Sequence, residues 1–459
     1  MTGYEKIKQL KKESGYNIPD LLALAPGNDP FYAGSPSAKE KAEWFASLWQ
    51  KFGFGYSSGV HLRRFHYQLV SQEEPKKHDG KPYENTDNDW EYLLAASKYA
   101  RHLGLVNAKA FIDRRNPEPH IFRPDNFYHE EETAGWTHDF LNWYLPSINV
   151  NLSNDLDWEL PSLSPIGYVY NEVLQPYHLE IWVEKSTMDD VLIPICQRYS
   201  INLITGIGFM SITSVINLLE RINQSNKPCR IFYISDFDPA GDGMPTAVAR
   251  QIEYYLEIQA GSADVKLNPV VLTKEQVTQY RLPRIPIKET DKRKNGFEDR
   301  FGKGAVELDA LEALYPGKLA RIIEESIVQF RDGKLGQKIR DAWEEAEEEL
   351  NSWWEARIEP YQEDLDALKQ KISMVLDAYQ YRLEEISAEL EAELSQYQDD
   401  INSLRQAIQL EINNMYPELP ELPEPETEPN DGGWLFDSNR NYSEQLDVYK
   451  KKRNGNYED

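Results

Sequence analysis

The sequence predicts a fold of class α/β plus α, in which a parallel sheet is followed by a long acidic helical segment. Short apolar runs alternate with helical patterns across residues 177–275, which is typical of a parallel sheet covered by helices. Two of these runs end in acidic residues. From residue 341 onward, leucine and isoleucine recur at spacings of three and four, as in packed helices.

The composition allows several hydrophobic cores and does not exclude a nucleic-acid partner. The chain has 459 residues, 40% of them hydrophobic, and a net charge of −27. From residue 341 to the end there are 31 acidic and 10 basic residues, a net charge of −21, which leaves −6 for the remainder. A nearly balanced body can present a local basic surface.

Cysteine usage and hydropathy indicate where the chain acts. Cys196 and Cys229 form no zinc or disulfide pattern, and each lies in an apolar segment, which favours reduced thiols in the cytoplasm. No run approaches the roughly 18 apolar residues of a membrane span. We therefore expect no membrane partner and a cytoplasmic location, associated with the nucleoid in a prokaryote.

The first 176 residues divide into three predicted segments. Residues 1–55 have helical patterns, and residues 56–120 read as two helices, a strand over Leu105–Ile112 and a basic turn at Arg114–Pro117. That order predicts a winged-helix domain, a class that binds duplex DNA. A small helical domain with a solvated basic loop is the alternative. Residues 121–176 are predicted to be a linker with irregular or short-strand structure.

The alternating region predicts four strands and three covering helices. The strands are predicted at Leu179–Val183, Ile201–Thr205, Arg230–Ser235 and Leu267–Leu272, and the helices at Met188–Tyr199, Ser211–Asn223 and Pro245–Ile258. Gly206 and Gly208 follow the second strand, where a backbone can approach a phosphate, although this signal alone is weak.

The C-terminal third is predicted to contain an extended helix and a tail. Residues 341–416 are expected to form an acidic coiled coil or helical hairpin, whose simplest role is dimerisation. The proline-rich and acidic composition that follows predicts disorder over residues 417–459.

The chemistry of the predicted sheet lies where its strands end. Glu184 follows the first strand, and Asp236 and Asp238 follow the third. Ligands bind at the carboxyl ends of parallel strands, and carboxylate oxygens suit Mg²⁺, so a site for one or two Mg²⁺ ions is predicted. Asp242 is either a fourth ligand or a helix cap. Lys185 either holds a phosphate or is solvated.

These motifs resemble those of a known family. The run Leu179-Glu-Ile-Trp-Val-Glu-Lys185 looks like the glutamate-bearing first strand of a TOPRIM domain, and Asp236-Phe-Asp-Pro-Ala-Gly241 looks like its Asp-x-Asp motif. Its Asp-x-Asp-Pro-x-Gly form resembles the A subunit of topoisomerase VI and the meiotic double-strand-break enzymes related to it. The resemblance covers roughly residues 56–310 and implies a TOPRIM domain with its extension over residues 177–330.

The resemblance also implies a nucleophilic tyrosine before the TOPRIM domain. In Arg63-Arg64-Phe65-His66-Tyr67, the arginines and Tyr67 lie opposite the apolar stripe of the predicted helix. Arg63 and Arg64 precede Tyr67 by four and three residues and can share its face, where their charge would favour the phenolate and hold a phosphate. His66 replaces an aromatic residue of the family pattern. It is either a general base for Tyr67 or a packing residue, and its position nearer the apolar side of the helix favours packing.

Three functions follow as hypotheses. In the first, Tyr67 cleaves double-stranded DNA by transesterification with Mg²⁺, and the family implies a homodimer and a separate ATPase subunit, because the chain has no Gly-x-x-x-x-Gly-Lys-Ser/Thr motif. In the second, the chain is a hydrolytic TOPRIM nuclease, associated with defence or plasmids, in which water attacks. In the third, it is a non-catalytic DNA-binding scaffold.

Overall fold

The computed structural model divides the chain into two compact units. The sheet unit comprises Met1–Asn126, Gln175–Asp332 and Thr427–Asp459, and the helical unit comprises Phe127–Leu174 and Gly333–Glu426. The structure describes residues 2–22, 33–55, 59–112, 116–123, 135–139, 141–145, 156–166, 170–208, 210–258, 263–379, 390–414 and 421–455. None of the helices in these ranges is both long and apolar enough to cross a membrane.

The sheet unit begins with a helical module. Its helices are α1 (Gly3–Ser14), α2 (Ile18–Leu21), α3 (Pro36–Lys51), α4 (Leu62–Val70) and α5 (Asp87–His102). Side-chain oxygens of Ser35 and Thr86 cap helices α3 and α5. Helices α3–α5 enclose an aromatic core that includes Phe45, Trp49 and Phe65.

One element of this module differs from the prediction. The strand expected over Leu105–Ile112 is absent from these described residues, which instead form a short 3-10 turn at Ala108–Ala110 and a single bridge between Phe111 and Val60. Asn107 caps this turn by accepting a hydrogen bond from the Lys109 amide. The described part of the module therefore lacks a strand that a winged helix would have there, and the winged-helix assignment remains a prediction. Arg114 and Arg115 of the basic turn lie outside the described residues.

A five-stranded sheet forms the centre of the unit. Its strands are β3 (His178–Val183), β4 (Asn202–Thr205), β5 (Cys229–Ile234), β6 (Val265–Val271) and β7 (Phe436–Asp437). Their order is β4-β3-β5-β6-β7, and only β7 runs antiparallel to its neighbour. Every residue of β3, β4 and β5 is buried, as expected for strands covered on both faces. The four predicted strands are confirmed to within two residues at each end.

Helices cover both faces of the sheet. They are α6 (Asp189–Tyr199), α7 (Ile212–Ser225), α8 (Pro239–Ile258), α9 (Lys274–Gln279), α10 (Lys294–Phe301), α11 (Leu308–Leu314) and α12 (Lys318–Val328). Helices α6 and α12 contribute to one apolar cluster, and α7 and α8 contribute to the other. The first two predicted helices match α6 and α7, and the third begins earlier than predicted, at Pro239.

The helical unit combines a small sheet with long helices. Strands β1 (Gly135–His138) and β2 (Leu163–Ile166) pair antiparallel, and the helices are α13 (Leu335–Tyr379) and α14 (Gln398–Asn414). Helices α13 and α14 share one apolar core, and Arg357 contacts Glu411 at 3.3 Å. Trp354 Nε1 donates to the Pro161 carbonyl at 2.8 Å, so the predicted linker contributes to this unit.

The predicted disorder of residues 417–459 is wrong for the described part of this tail. Strand β7 pairs with β6, and helix α15 (Tyr442–Arg453) follows it. Trp434, Leu435 and Phe436 are buried in the two sheet cores. Trp434 packs against the rings of Phe232 and Phe330, which are distant in sequence, so local composition could not predict this order. Residues 417–420 and 456–459 lie outside the described ranges.

Candidate functional site

Two adjacent strand ends bring Glu184 and Asp236 together. Strands β3 and β5 pair in parallel with Val183 opposite Ile234, so the residues after them leave the sheet at the same edge. The Glu184 amide donates to the Ile234 carbonyl at 3.1 Å, and the Asp236 amide donates to Glu184 Oε2 at 3.3 Å. The register of the sheet therefore places both residues at one site.

Asp238 lies at the start of helix α8 and is held by the backbone. Its Oδ1 accepts hydrogen bonds from the amides of Ala240 at 2.8 Å and Gly241 at 2.6 Å. A Cβ at Gly241 would come within 2.0 Å of the Asp236 carbonyl oxygen. The glycine of the Asp-x-Asp-Pro-x-Gly run is thus needed for the backbone to turn back tightly under the first aspartate.

The electrostatics of these carboxylates favour a cation. Burial, followed by the charges of Asp236 and Asp238, raises the pKa of Glu184 to about 7. Burial also raises the pKa of Asp236, against the opposing effect of Lys185. Like charges crowded in a half-buried position repel each other, and a divalent cation relieves that repulsion. The oxygen donors of Glu184, Asp236 and Asp238 therefore fit the chemistry of Mg²⁺.

The most tightly grouped carboxylates differ from the predicted set. Among the described residues, one group of three potential metal ligands has its ligand atoms within 4.8 Å of one another, and it consists of Asp236, Glu307 and Asp309. Lys185 Nζ lies in this group, 2.8 Å from Asp236, 2.8 Å from Glu307 and 2.7 Å from Asp309. Lys185 is thus neither solvated nor free to hold a phosphate in this structure.

Glu307 and Asp309 were not among the site residues predicted from the sequence. They reach the site because Val306 and Phe237 exchange two backbone hydrogen bonds of 2.9 Å, which aligns the two segments. The acidic alternation after Val306 was the one available signal, since its spacing repeats that of Asp236 and Asp238.

Asp242, the predicted fourth ligand, forms an ion pair with Arg300. Its Oδ2 lies 2.7 Å from Arg300 Nη2, and both side chains are about four-fifths buried. The capping alternative for Asp242 does not hold, because Asp238 supplies the cap of helix α8. We therefore leave Asp242 out of the ligand set proposed below.

The glycine loop after β4 lies at the same edge of the sheet. The amides of Gly206 and Ile207 donate to the Val183 carbonyl at 2.8 Å and to Asn116 Oδ1 at 2.9 Å. The Gly208 amide donates to the Glu184 carbonyl at 3.4 Å. These amides are already used within the protein, so this loop does not resemble an open phosphate cradle.

Helix α4 presents the candidate nucleophile to solvent. Tyr67 is 59% exposed, and Arg63 and Arg64 are exposed with it, whereas Phe65 and Leu69 on the other side are buried. Among the described residues, no hydrogen bond or ion pair joins Tyr67 to the carboxylates at the strand ends. The structure thus presents Tyr67 and the two arginines together on the exposed side of helix α4.

His66 serves the packing of the module. It is 5% exposed, and its ring nitrogens lie 2.7 Å from the Tyr83 hydroxyl and 3.1 Å from Asn85 Oδ1. Both nitrogens are engaged, so His66 does not serve as a base for Tyr67 in this arrangement.

Comparisons with known proteins identify no family: no protein-family model matches the chain, and no curated protein matches it. The function proposed below therefore rests on the residues of the site alone.

Proposed function

We propose that the chain cleaves DNA by transesterification, with Tyr67 as the nucleophile and a divalent metal held by Glu184, Asp236 and Asp238. The observation that carries this proposal is the electrostatic coupling of these three carboxylates at the ends of two neighbouring parallel strands. When bound there, Mg²⁺ would stabilise the charge that develops on a scissile phosphate.

The proposed reaction uses two sites, the exposed face of helix α4 and the carboxylates at the strand ends. The Tyr67 oxygen attacks a backbone phosphorus and forms a 5′-phosphotyrosyl bond, the bond to the 3′ oxygen breaks, and the proton lost by Tyr67 balances the one gained at the free 3′-OH. Arg63 and Arg64 hold the phosphate oxygens by charge-assisted hydrogen bonds. Their exposure, and that of Tyr67, leaves this face open to a duplex.

We further propose a homodimer in which Tyr67 of one protomer meets the acidic site of the other. The absence of a described contact between Tyr67 and the carboxylates within one chain supports this arrangement. A separate ATPase subunit would be needed only if cleavage were coupled to strand passage.

A hydrolytic nuclease is the second candidate, and one observation favours it. A carboxyl with a pKa of about 7 is suited to act as a general base near neutral pH, and Glu184 has that pKa. In this alternative water attacks the phosphate, and Tyr67 contributes only binding.

Supercoiled plasmid incubated with Mg²⁺ separates the candidates. We expect the wild type to cut and to retain covalently bound DNA under denaturing conditions. Tyr67→Phe should lose both properties, whereas Tyr4→Phe, at an equally exposed tyrosine, should keep them. Cutting by Tyr67→Phe but not by Asp236→Ala would establish hydrolysis, and no Mg²⁺-dependent cutting by the wild type would leave the scaffold hypothesis.

A further inference from the structure

The strand-end site contains a cation supplied by the chain itself. The Lys185 ammonium has a carboxylate oxygen of Asp236, Glu307 and Asp309 at 2.7–2.8 Å, and its side chain is 21% exposed. Three oxygens arranged around one positive centre are the arrangement that a metal ion would otherwise occupy.

The backbone fixes this cluster in place. Asp236 Oδ1 accepts a second hydrogen bond, from the Leu308 amide at 2.6 Å. Leu308 lies between Glu307 and Asp309 and is fully buried, as is Val306 before them. The two acidic side chains therefore extend from a backbone segment that is anchored on both sides.

We propose that Lys185 is a tethered cation that takes the place of a second divalent ion, so that each chain binds one divalent ion and not two. This inference rests on the proposed function, which places that one ion at Glu184, Asp236 and Asp238. Asp236 belongs to both groups. The Lys185 ammonium donates a hydrogen bond to Asp236 Oδ1, which orients the carboxylate and leaves Oδ2 to bind the metal.

Charge explains why a second divalent ion is excluded from the cluster around Lys185. With Lys185 in contact, the three carboxylates of its cluster have a net charge of −2, and the ammonium fills the space among them. A divalent ion would have to displace an ammonium that makes three short charge-assisted contacts. Without the ammonium, the cluster has a charge of −3 and oxygens within 4.8 Å of one another, and it becomes a second site beside the first.

The test is the number of Mn²⁺ ions bound per chain, measured by equilibrium dialysis and by the electron paramagnetic resonance of the bound ions. We expect one ion for the wild type and for Lys185→Arg, which keeps the charge. Lys185→Met should bind two ions, and sharing Asp236 should make them spin-coupled. Adding Glu307→Gln and Asp309→Asn to Lys185→Met should return the count to one.

A matched control is Lys266→Met, which removes another buried ammonium, bonded to Asp431 and Asp437. It should leave the count at one. Two ions in the wild type, or one in folded Lys185→Met, would overturn the inference and leave the proposed function standing. No ion in the wild type would overturn the proposed metal site itself.

If Lys185→Met does not fold, the Glu307→Gln, Asp309→Asn double variant decides. We expect it to bind one ion, as the wild type does. Loss of that ion would mean that the cluster around Lys185 is the real metal site, and would overturn the inference.

Discussion

At the scale of the residue, Glu184 connects metal binding with stability. Its pKa rises from an ordinary value of 4.5 to about 7 in the fold, because it is buried beside Asp236 and Asp238. The folded state therefore favours the protonated carboxyl. That preference contributes its full stability below pH 4.5, and the contribution is lost as the pH rises through 7.

Glu184→Gln should therefore stabilise the metal-free protein at pH 8 by up to roughly 3 kcal/mol, because the pKa of Glu184 rises by about 2.5 units and each unit corresponds to about 1.4 kcal/mol. The difference should disappear below pH 4.5, and saturating Mg²⁺ should reverse its sign, because the wild type alone keeps the full ligand set. Urea unfolding at several pH values measures this. Glu43→Gln, at an exposed carboxylate of helix α3, is the control. Equal stabilisation by both variants would refute the explanation.

At the scale of the element, the turn between β5 and α8 positions the aspartates. It returns so closely that Gly241 lies against the Asp236 carbonyl. The position of Asp236 therefore depends on a residue with no functional group. This dependence links the glycine of the motif to the proposed metal site.

Gly241→Ala should weaken Mn²⁺ binding at least tenfold and destabilise the fold by about 1–3 kcal/mol, because the backbone must shift to accept the methyl group. Gly243→Ala is the matched control, since nothing lies within 4 Å of its added Cβ in the same helix. There alanine should be neutral or stabilising by up to about 1 kcal/mol. Isothermal titration with Mn²⁺ and thermal unfolding test both, and intact Mn²⁺ binding in Gly241→Ala would contradict this account.

The C-terminal segment is an element of the sheet unit. Asp431 bonds Arg230, which is 1% exposed, through contacts of 3.0 and 2.9 Å, and it also bonds Lys266 at 2.6 Å. The guanidinium of Arg230 is further enclosed by the rings of Tyr177, Phe330 and Trp434.

Asp431→Asn should destabilise the protein by about 3–5 kcal/mol, because it leaves two buried cations short of a partner. Glu74→Gln, which breaks the exposed pair with Lys76, should leave stability nearly unchanged. Denaturant unfolding of the two variants gives the comparison. Similar small losses would mean that the segment after residue 426 is not part of the folded core.

Across the whole molecule, the sequence predicted those features whose signal lies in residues that are neighbours along the chain. Strands β3 and β5 are largely apolar, and acids that follow neighbouring parallel strands share an edge, so the meeting of Glu184 and Asp236 followed from the sequence. Glu307 reaches Lys185 across 122 residues of chain, and only the folded backbone brings them together. Trp434 likewise gains its burial from rings distant in sequence, those of Phe232 and Phe330, which is why a proline-rich context predicted disorder.

The proposed reaction involves the whole molecule, because it joins a tyrosine on one module to carboxylates on another. The most direct measurement is mass spectrometry of the protein after it has reacted with DNA and Mg²⁺ and been digested with nuclease and trypsin. We predict a nucleotide on Tyr67, in the tryptic peptide 65–76. Cut DNA with that peptide unmodified, or a nucleotide on any other residue, would contradict the account.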